Sequence, residues 1–170
     1  MPRRNRKQSE AEESFEAAFK ELFVPAYRVA RRILGDPGAA EDIAAEALSR
    51  AYADWGRVSQ LPYRDAWVLR VATNLALNAT RRRRLLFSGV EARWDDDAAT
   101  TRVALAGALQ RLPARQREVV VLRHLAGLSE PEVAVRLGVS LGTVKTHLRR
   151  GHEALRGRLR RDEWDAADAG

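Results

Sequence analysis

Apolar side chains recur along most of this chain every three or four residues, which is the spacing of one face of an α-helix. The pattern is clearest over residues 15–33, 43–52 and 68–79, and it returns in shorter stretches after residue 101. A half-buried strand would instead alternate apolar and polar side chains, and no stretch does so convincingly. The β-branched run at residues 119–122 lies between helix-forming neighbours. The pattern therefore predicts an all-α fold.

Turn-forming residues divide the pattern into separate helices. Gly35, Asp36 and Pro37 follow the first apolar stretch. Glycine commonly ends a helix, an aspartate side chain can cap the next one, and proline fits its first turn. Pro25 lies inside the first stretch, where it is expected to kink or split the helix because it removes a backbone donor. The following elements are expected to be a helix over residues 37–55, a loop over 56–62 and a helix over 64–85.

Residues 86–101 break the helical periodicity and contain four acidic residues against one arginine. This change of composition is the clearest domain boundary in the chain. The polar and charged residues 1–13 are expected to be disordered. We therefore expect two small helical domains joined by a flexible acidic linker, the second containing a helix-turn-helix. The expected boundaries are a basic arm at 1–13, a first domain at 14–85, the linker at 86–101, a second domain at 102–160 and an acidic tail at 161–170.

The net charge of +7 is distributed unevenly along the chain. Residues 70–85 contain five basic and no acidic residues, and residues 102–170 contain thirteen basic and eight acidic residues, so each segment carries +5. Residues 36–69 contain three basic and six acidic residues and carry −3. Two separated basic segments indicate two contacts with nucleic acid. Arginine supplies most of the positive charge and suits phosphate and guanine contacts, although a GC-rich genome would produce the same bias.

The sequence lacks the motifs that are typical of several classes of function. There is no cysteine, so disulfides and thiolate metal sites are excluded. The three histidines show no ligand spacing on one helix face, and no phosphate-binding loop or nucleophile elbow occurs. We therefore expect no enzyme activity, no cofactor, no metal and no small-molecule substrate. The first residues lack the apolar stretch of a secretory signal and no window reaches the length of a membrane span, so we expect a cytoplasmic protein without membrane contact.

The most specific local signal is a helix-turn-helix over residues 128–151. Ser129 followed by Glu132 reads as a capping box at the start of the first helix. Gly138 permits a left-handed turn between the helices, and Ser140 can cap the second one. These features together predict two short helices that meet at a tight turn.

The second helix of this motif is expected to bury Val144, Leu148 and Leu155. Side chains on its other faces would then be available to enter a major groove, with the helix N-terminus close to phosphate. The side chains expected to face outward are Thr143, Lys145, Thr146, Arg149 and Arg150. Without further information, an ordinary helical hairpin with a solvated basic face remains the alternative.

Three groups of residues resemble the extracytoplasmic-function sigma factors of bacterial RNA polymerase (group IV, sigma-E-like). AEDIAAEA at residues 40–47 resembles their polymerase-binding helix, and AWVLRVATNLALN at 66–78 resembles their promoter-melting helix. LPARQREV at 112–119, followed by GLS and then GTVK, resembles their C-terminal domain. The resemblance covers about residues 14–85 and 102–158, and the motifs occur in the family's order.

The resemblance implies a transcription initiation factor that binds core RNA polymerase and promoter DNA. The first domain would dock on the polymerase clamp and open the −10 element, the linker would run through the polymerase channel, and the second domain would sit on the flap and read the −35 element. An anti-sigma factor is a further candidate partner. The residues implied for core binding are Asp42 and Glu46. Those implied for the −10 element are Asn74, Asn78, Arg81 and Arg82. Those implied for the −35 element are Thr143, Lys145, Thr146, Arg149 and Arg150.

Some of these assignments have simpler alternatives on the residues alone. Asp42 and Glu46 lie one helical turn apart and could be a solvated acidic face, and the arginines could only solvate a helix end. Trp67 could stack on an unpaired base, but we expect it to pack in the core. Contacts of Tyr63 with DNA cannot be read from the sequence.

Two other functions compete with this interpretation. A stand-alone helix-turn-helix regulator would explain residues 103–158, but it leaves the acidic second helix and the asparagine–arginine segment without a role. An enzyme of nucleic-acid metabolism would need a catalytic motif, and we find none.

Overall fold

The elements of the fold are all helical over the part of the chain that the computed structural model describes. This part comprises the backbone of residues 3–87 and 97–168 and the side chains of residues 14–82 and 100–159. The elements are α1 (Arg3–Leu34), α2 (Pro37–Ala53), α3 (Trp55–Val58), α4 (Arg64–Phe87), α5 (Asp97–Gln110), α6 (Ala114–Val120), a π turn (Val121–Leu125), α7 (Glu130–Leu137) and α8 (Leu141–Asp168). The predicted all-α class is confirmed.

Helix α1 is longer and more regular than the sequence pattern predicts. It begins at Arg3, so residues 3–13 are helical and the expected disordered arm is wrong there. This segment consists mostly of Arg, Lys, Gln, Glu and Ala, which are strong helix formers. Pro25 lies inside the same helix and does not split it. Ala26 and Val29, which follow the proline, are fully buried, so tertiary packing offsets the lost hydrogen bond.

The junction between α1 and α2 follows the expected capping chemistry. Gly35 adopts φ +76°, a conformation that favours glycine. The Asp36 side chain accepts a hydrogen bond from the backbone N–H of Ala39 at 2.8 Å, and Pro37 occupies the first turn of α2. This sharp reversal lets α2 pack back along α1.

Helices α1, α2 and α4 bury small side chains against one another in the first domain. Alanine dominates their contact faces, which allows the helix axes to approach closely. Trp55 is buried at the end of this core, and its ring lies 5.0 Å from that of Phe15. The buried alanines of this core are Ala18, Ala26, Ala44, Ala47, Ala51 and Ala72.

The second half of the chain packs α5, α6 and α7 around the first turns of α8. Gly138 ends α7 in the left-handed conformation, with φ +63°, as the turn signal predicts. Helix α6 widens into the π turn, in which the Ala126 N–H bonds to the Val121 carbonyl at 2.9 Å. Gly151 of α8 passes so close to α6 that an added Cβ would lie 2.8 Å from Cγ2 of Val120.

A buried cluster of side chains joins the two predicted domains, beside the separate core that α1–α4 form among themselves. Ile33 of α1 and Leu77 of α4 belong to the same buried cluster as Leu109 of α5 and Val121 of the π turn. The Gln110 side-chain amide also donates a hydrogen bond to the backbone carbonyl of Leu77. In this structure the two predicted domains are therefore packed against each other.

Helices extend into the predicted linker and into the predicted acidic tail. Helix α4 runs to Phe87 and α5 begins at Asp97, so both ends of the expected linker at 86–101 are helical. Residues 88–96, which form its middle, lie outside the described residues. Helix α8 continues to Asp168 and includes most of the expected acidic tail at 161–170.

Candidate nucleic-acid interface

The N-terminal turn of α8 is fixed by side-chain hydrogen bonds. Ser140 caps the helix, because its Oγ accepts a hydrogen bond from the Thr143 N–H at 3.1 Å. The Thr143 hydroxyl lies 2.9 Å from the same Oγ, and the Thr146 hydroxyl donates to the Gly142 carbonyl at 2.9 Å. The predicted cap is confirmed; the Thr143 hydroxyl is bonded to the capping residue and the Thr146 hydroxyl is bonded within the helix.

Helix α8 presents the predicted residues on its outer side. Val144 and Leu148 are buried, with 0% and 6% of their surface exposed, and Leu155 is at the edge of the core. Four of the five predicted contact residues are exposed, and Thr143 is half-buried. The exposed residues are Lys145, Thr146, Arg149 and Arg150. The result is a solvent-facing surface of basic and hydroxyl side chains beside the capped helix start, where groups that carry negative charge are favoured.

Arg149 already has a partner in this structure. Its Nη1 lies 3.0 Å from Oε1 of Glu153, one helical turn further along. Both side chains are more than half exposed, so the ion pair contributes little to stability and can be exchanged for another anion at small cost.

The capping box that starts α7 is confirmed. The Glu132 carboxylate accepts hydrogen bonds from the Ser129 N–H at 2.7 Å and the Ser129 hydroxyl at 2.6 Å. The Glu132 N–H in turn lies 3.4 Å from the Ser129 Oγ. The bonds from Ser129 favour the ionised carboxylate and lower the pKa of Glu132. This box orients α7 and hence the turn that leads into α8.

Helix α4 carries the second group of predicted residues. Its inner face buries Leu69, Ala76 and Leu77. Asn74 and Asn78 are exposed on the other side, as are the side chains that follow them in the basic segment, Arg81 and Arg82. All four therefore lie on the surface of one helix, as the spacing predicts.

Asn74 also lines a cavity between the two halves of the molecule. This cavity of about 190 Å³ lies between α4 and α6, and its walls include Arg70 and Thr73 on one side and Arg117 and Glu118 on the other. The sequence pattern could not place Asn74 there, because the packing of α4 on α6 depends on contacts distant in sequence.

The two acidic residues proposed for polymerase binding are exposed on α2. Asp42 and Glu46 both face solvent, and Glu46 forms an ion pair with Arg50 at 2.8 Å. The structure therefore places them on a different helix from the asparagines of α4 and from the basic residues of α8.

Polar contacts between the two halves were not predicted from the sequence. Asp65 pairs with Arg136 at 2.7 Å, and Arg70 pairs with Glu118 at 3.2 Å. Arg32 donates hydrogen bonds to the carbonyls of residues 124 and 125 at 3.1 and 2.6 Å. No local signal identifies such pairs, since each joins helices that are far apart in sequence.

The two aromatic residues left open by the sequence lie at the surface of the first domain. Trp67 is half-buried and packs against the core, and the guanidinium carbon of Arg57 lies 5.8 Å from the centre of its ring. Tyr63 remains 39% exposed. Trp67 therefore packs against the core with part of its side chain, and the rest of the side chain is exposed to solvent.

Two histidines meet in the folded chain although the sequence shows no ligand spacing. Nε2 of His124 lies 2.9 Å from Nε2 of His152, and both side chains are exposed. Partial burial, His152 and Arg123 together lower the pKa of His124. No group of three or more potential metal ligands occurs among the described residues. Within the same residues, no helix has both the length and the apolar character needed to cross a membrane.

Each half of the chain matches the model of a known protein family. The family model described as "Sigma-70 region 2" matches residues 4–85, and the model described as "Sigma-70, region 4" matches residues 102–155. The two matches correspond to α1–α4 and to α5–α8.

Individual relatives agree with the family models. The RNA polymerase sigma-E factor of Streptomyces avermitilis is 37% identical over 145 residues, covering 82% of this chain and 81% of the relative. The ECF RNA polymerase sigma factor SigW of Bacillus subtilis is 32% identical over 155 residues, covering 79% and 82%. The solved structure of CnrH in complex with the cytosolic domain of CnrY shares the fold, with a TM-score of 0.52, 24% identity and coverage of 91% of this chain and 97% of that chain. The chain therefore belongs to the extracytoplasmic-function sigma factors, the alternative sigma factors that direct RNA polymerase to promoters.

Proposed function

We propose that residues 14–85 bind core RNA polymerase and the −10 element, and that residues 102–160 bind the −35 element. The observation that carries this proposal is the correspondence between two family matches and two sets of helices, each with its own exposed polar face. The protein then acts as an initiation factor, by positioning the polymerase and opening the duplex.

The acidic face of α2 is the proposed contact with core polymerase. Asp42 and Glu46 lie one turn apart and are exposed, so a basic helix of the polymerase clamp could pair with both carboxylates at once. Glu46 would exchange its exposed intrahelical partner Arg50 for the polymerase at little cost.

The outer face of α4 is the proposed contact with the −10 element. The amides of Asn74 and Asn78 can donate and accept hydrogen bonds with the edge of a base that has left the stack. Arg81 and Arg82 extend the same helix, and their guanidinium groups can hold the phosphates on either side of such a base. Strand separation then needs no catalytic group, because it is driven by binding the unpaired form.

The exposed face of α8 is the proposed contact with the −35 element. Its five proposed residues, Thr143, Lys145, Thr146, Arg149 and Arg150, fall within the first three turns, where a recognition helix enters the major groove. The Ser140 cap fixes the start of this helix, so its backbone and side chains meet the duplex in one register.

The two halves of the protein cannot contact the −35 and −10 elements at the same time while they are packed against each other as they are here. The −35 and −10 positions are separated by about 25 base pairs, or about 85 Å of duplex. Helix α1, the longest element, spans about 48 Å. We infer that α1–α4 and α5–α8 separate on the promoter, with the segment around residues 86–101 connecting them through the polymerase. An anti-sigma factor would be a partner that keeps these surfaces from polymerase and DNA.

In vitro transcription with purified core polymerase over a genomic DNA library tests the proposed function. The expected result is a set of start sites that require this protein and that share sequence elements near −35 and −10. Binding to DNA should be measured with and without core polymerase in parallel. Tight, specific binding without core polymerase, and no dependent start sites, would instead support a stand-alone helix-turn-helix regulator.

A further inference from the structure

The side chains of His124 and His152 bring two exposed imidazole nitrogens together on the surface of the second half. Their Nε2 atoms are 2.9 Å apart and their ring centres 4.9 Å apart, with the ring planes at 50°. The two residues lie 28 positions apart, on the π turn and on α8. Neither residue belongs to the surfaces proposed for polymerase or promoter binding.

The local backbone explains why these side chains converge. The π turn widens the end of α6, and such turns occur often at functional sites because they redirect a side chain. Gly151 precedes His152 and allows α8 to lie directly against α6. Arg32 of α1 holds the carbonyl of His124, which fixes the turn from its other side.

Two arrangements fit a pair of imidazole nitrogens at this distance. One nitrogen can donate a hydrogen bond to the other, or both can bind one cation through their lone pairs. Metal–imidazole bonds of about 2.1 Å place the two nitrogens about 3.0 Å apart at a right angle and about 3.4 Å apart at the tetrahedral angle. The observed separation agrees with the right angle, which is the geometry of octahedral or square-planar ions.

We propose that His124 and His152 form a two-histidine site for a divalent transition metal ion of the Ni²⁺ or Cu²⁺ type. Imidazole nitrogen suits these ions, and the chain has no cysteine that could compete for them. Among the described residues no third protein ligand joins the pair, so water completes the coordination sphere. The site is therefore open to solvent, and a bound ion can exchange with ions in solution.

A bound ion would connect the π turn to α8. Because only the folded chain brings the two imidazoles together, binding raises the free energy of unfolding with the logarithm of the ratio of ion concentration to dissociation constant. The unfolding temperature of the full chain should therefore rise by several degrees with excess Ni²⁺.

Calorimetric titration of the full chain with Ni²⁺ tests the site, using protein without a polyhistidine tag in a buffer that does not chelate metal. We expect one equivalent to bind. His124→Gln or His152→Gln should weaken binding at least about tenfold, since even loss of an outer-shell partner costs 10-fold to 100-fold. His147→Gln is the matched control, because it removes the third histidine from the same half and should leave affinity unchanged.

Electron paramagnetic resonance with one equivalent of Cu²⁺ reports on the nitrogen ligands of the ion directly. Two coordinated imidazoles should give hyperfine coupling to two nitrogens, and either glutamine substitution should reduce this to one or remove it. The proposal is overturned if Ni²⁺ does not bind the unaltered chain, or if a variant that combines His124→Gln with His152→Gln binds it equally well. In either case the two histidines form only a hydrogen bond.

Discussion

Asp65 at the start of α4 and Arg136 at the end of α7 form an ion pair across the two halves of the molecule, with Nε and Oδ2 2.7 Å apart. The two side chains are only 27% and 22% exposed, so water screens this pair less than it screens the half-exposed pairs within α1–α4, Glu46–Arg50 and Asp54–Arg57. Arg70 and Glu118 form a second such bridge nearby. Together these contacts hold the two halves in the packed arrangement.

We expect the Asp65–Arg136 pair to stabilise this packing measurably. A double-mutant cycle with Asp65→Ala and Arg136→Ala should give a coupling energy of about 1 kcal/mol, measured by denaturant unfolding. The control is the pair Asp54–Arg57, which is about half exposed on both sides and lies within one half. Its coupling should be about 0.3 kcal/mol, as for helix-surface pairs. Equal coupling energies in the two cycles would show that the ion pair between the halves stabilises the protein no more than an exposed surface pair does.

The packing of α8 on α6 gives a second prediction. Gly151→Ala should destabilise the fold, because its Cβ would lie 2.8 Å from the Val120 side chain, and the β-branched valine has little freedom to move. Overpacking of this kind costs about 1–3 kcal/mol, and the stiff Val120 side chain places the expected cost in the upper part of this range, above the gain of about 1 kcal/mol in helix propensity.

Gly157→Ala is the matched control in the same helix. A Cβ at that position points into open space, so only the propensity term remains and stability should rise by up to about 1 kcal/mol. Thermal unfolding of both variants decides the matter. Gly151→Ala with unchanged or increased stability would contradict the tight contact.

Local chemistry explains which features the sequence could predict. The capping box at Ser129, the left-handed Gly138 and the buried Val144 each depend on neighbours within one or two helical turns, and all three are confirmed. The packing of the two halves depends on long-range contacts, so neither the Asp65–Arg136 pair nor the histidine pair left any local pattern. The prediction of a disordered arm is wrong for residues 3–13, because the helix propensity of these residues outweighs their polar composition.

The core-binding proposal predicts a specific effect of charge. Asp42→Lys combined with Glu46→Lys should weaken association with core polymerase at least about tenfold, because both carboxylates would turn into repulsive groups on one face. The control is Glu16→Lys with Glu21→Lys, which makes the same change of net charge on exposed positions of α1. Affinity for fluorescently labelled core polymerase is the measurement. Equal weakening in both variants would assign the effect to net charge.

The −10 proposal predicts a defect in opening. Asn74→Ala with Asn78→Ala should slow open-complex formation while closed-complex binding is largely retained, because the amides contact bases only after they leave the stack. Permanganate reactivity of thymines near the start site measures the unpaired strand. Substitution of the exposed amide Gln60 by alanine is the control and should leave the reactivity unchanged. Normal reactivity in the double variant would make these residues ordinary surface amides.

The −35 proposal separates two residues of α8 by what they would contact. Arg149 can form two hydrogen bonds to guanine once it leaves Glu153, and this exposed ion pair opposes the exchange only weakly. Lys145 lies one turn closer to the helix start and is as well suited to a phosphate, which gives affinity without selectivity.

Arg149→Ala should therefore flatten base preference within the −35 element, at a cost of about 1–3 kcal/mol in discrimination. Lys145→Ala should weaken binding to all sequences alike and reduce the salt dependence by about one unit. Selection of promoter sites by the holoenzyme, repeated for each variant at two salt concentrations, measures both effects. If Arg149→Ala retains the full preference, Thr146 or Arg150 becomes the residue that reads the sequence.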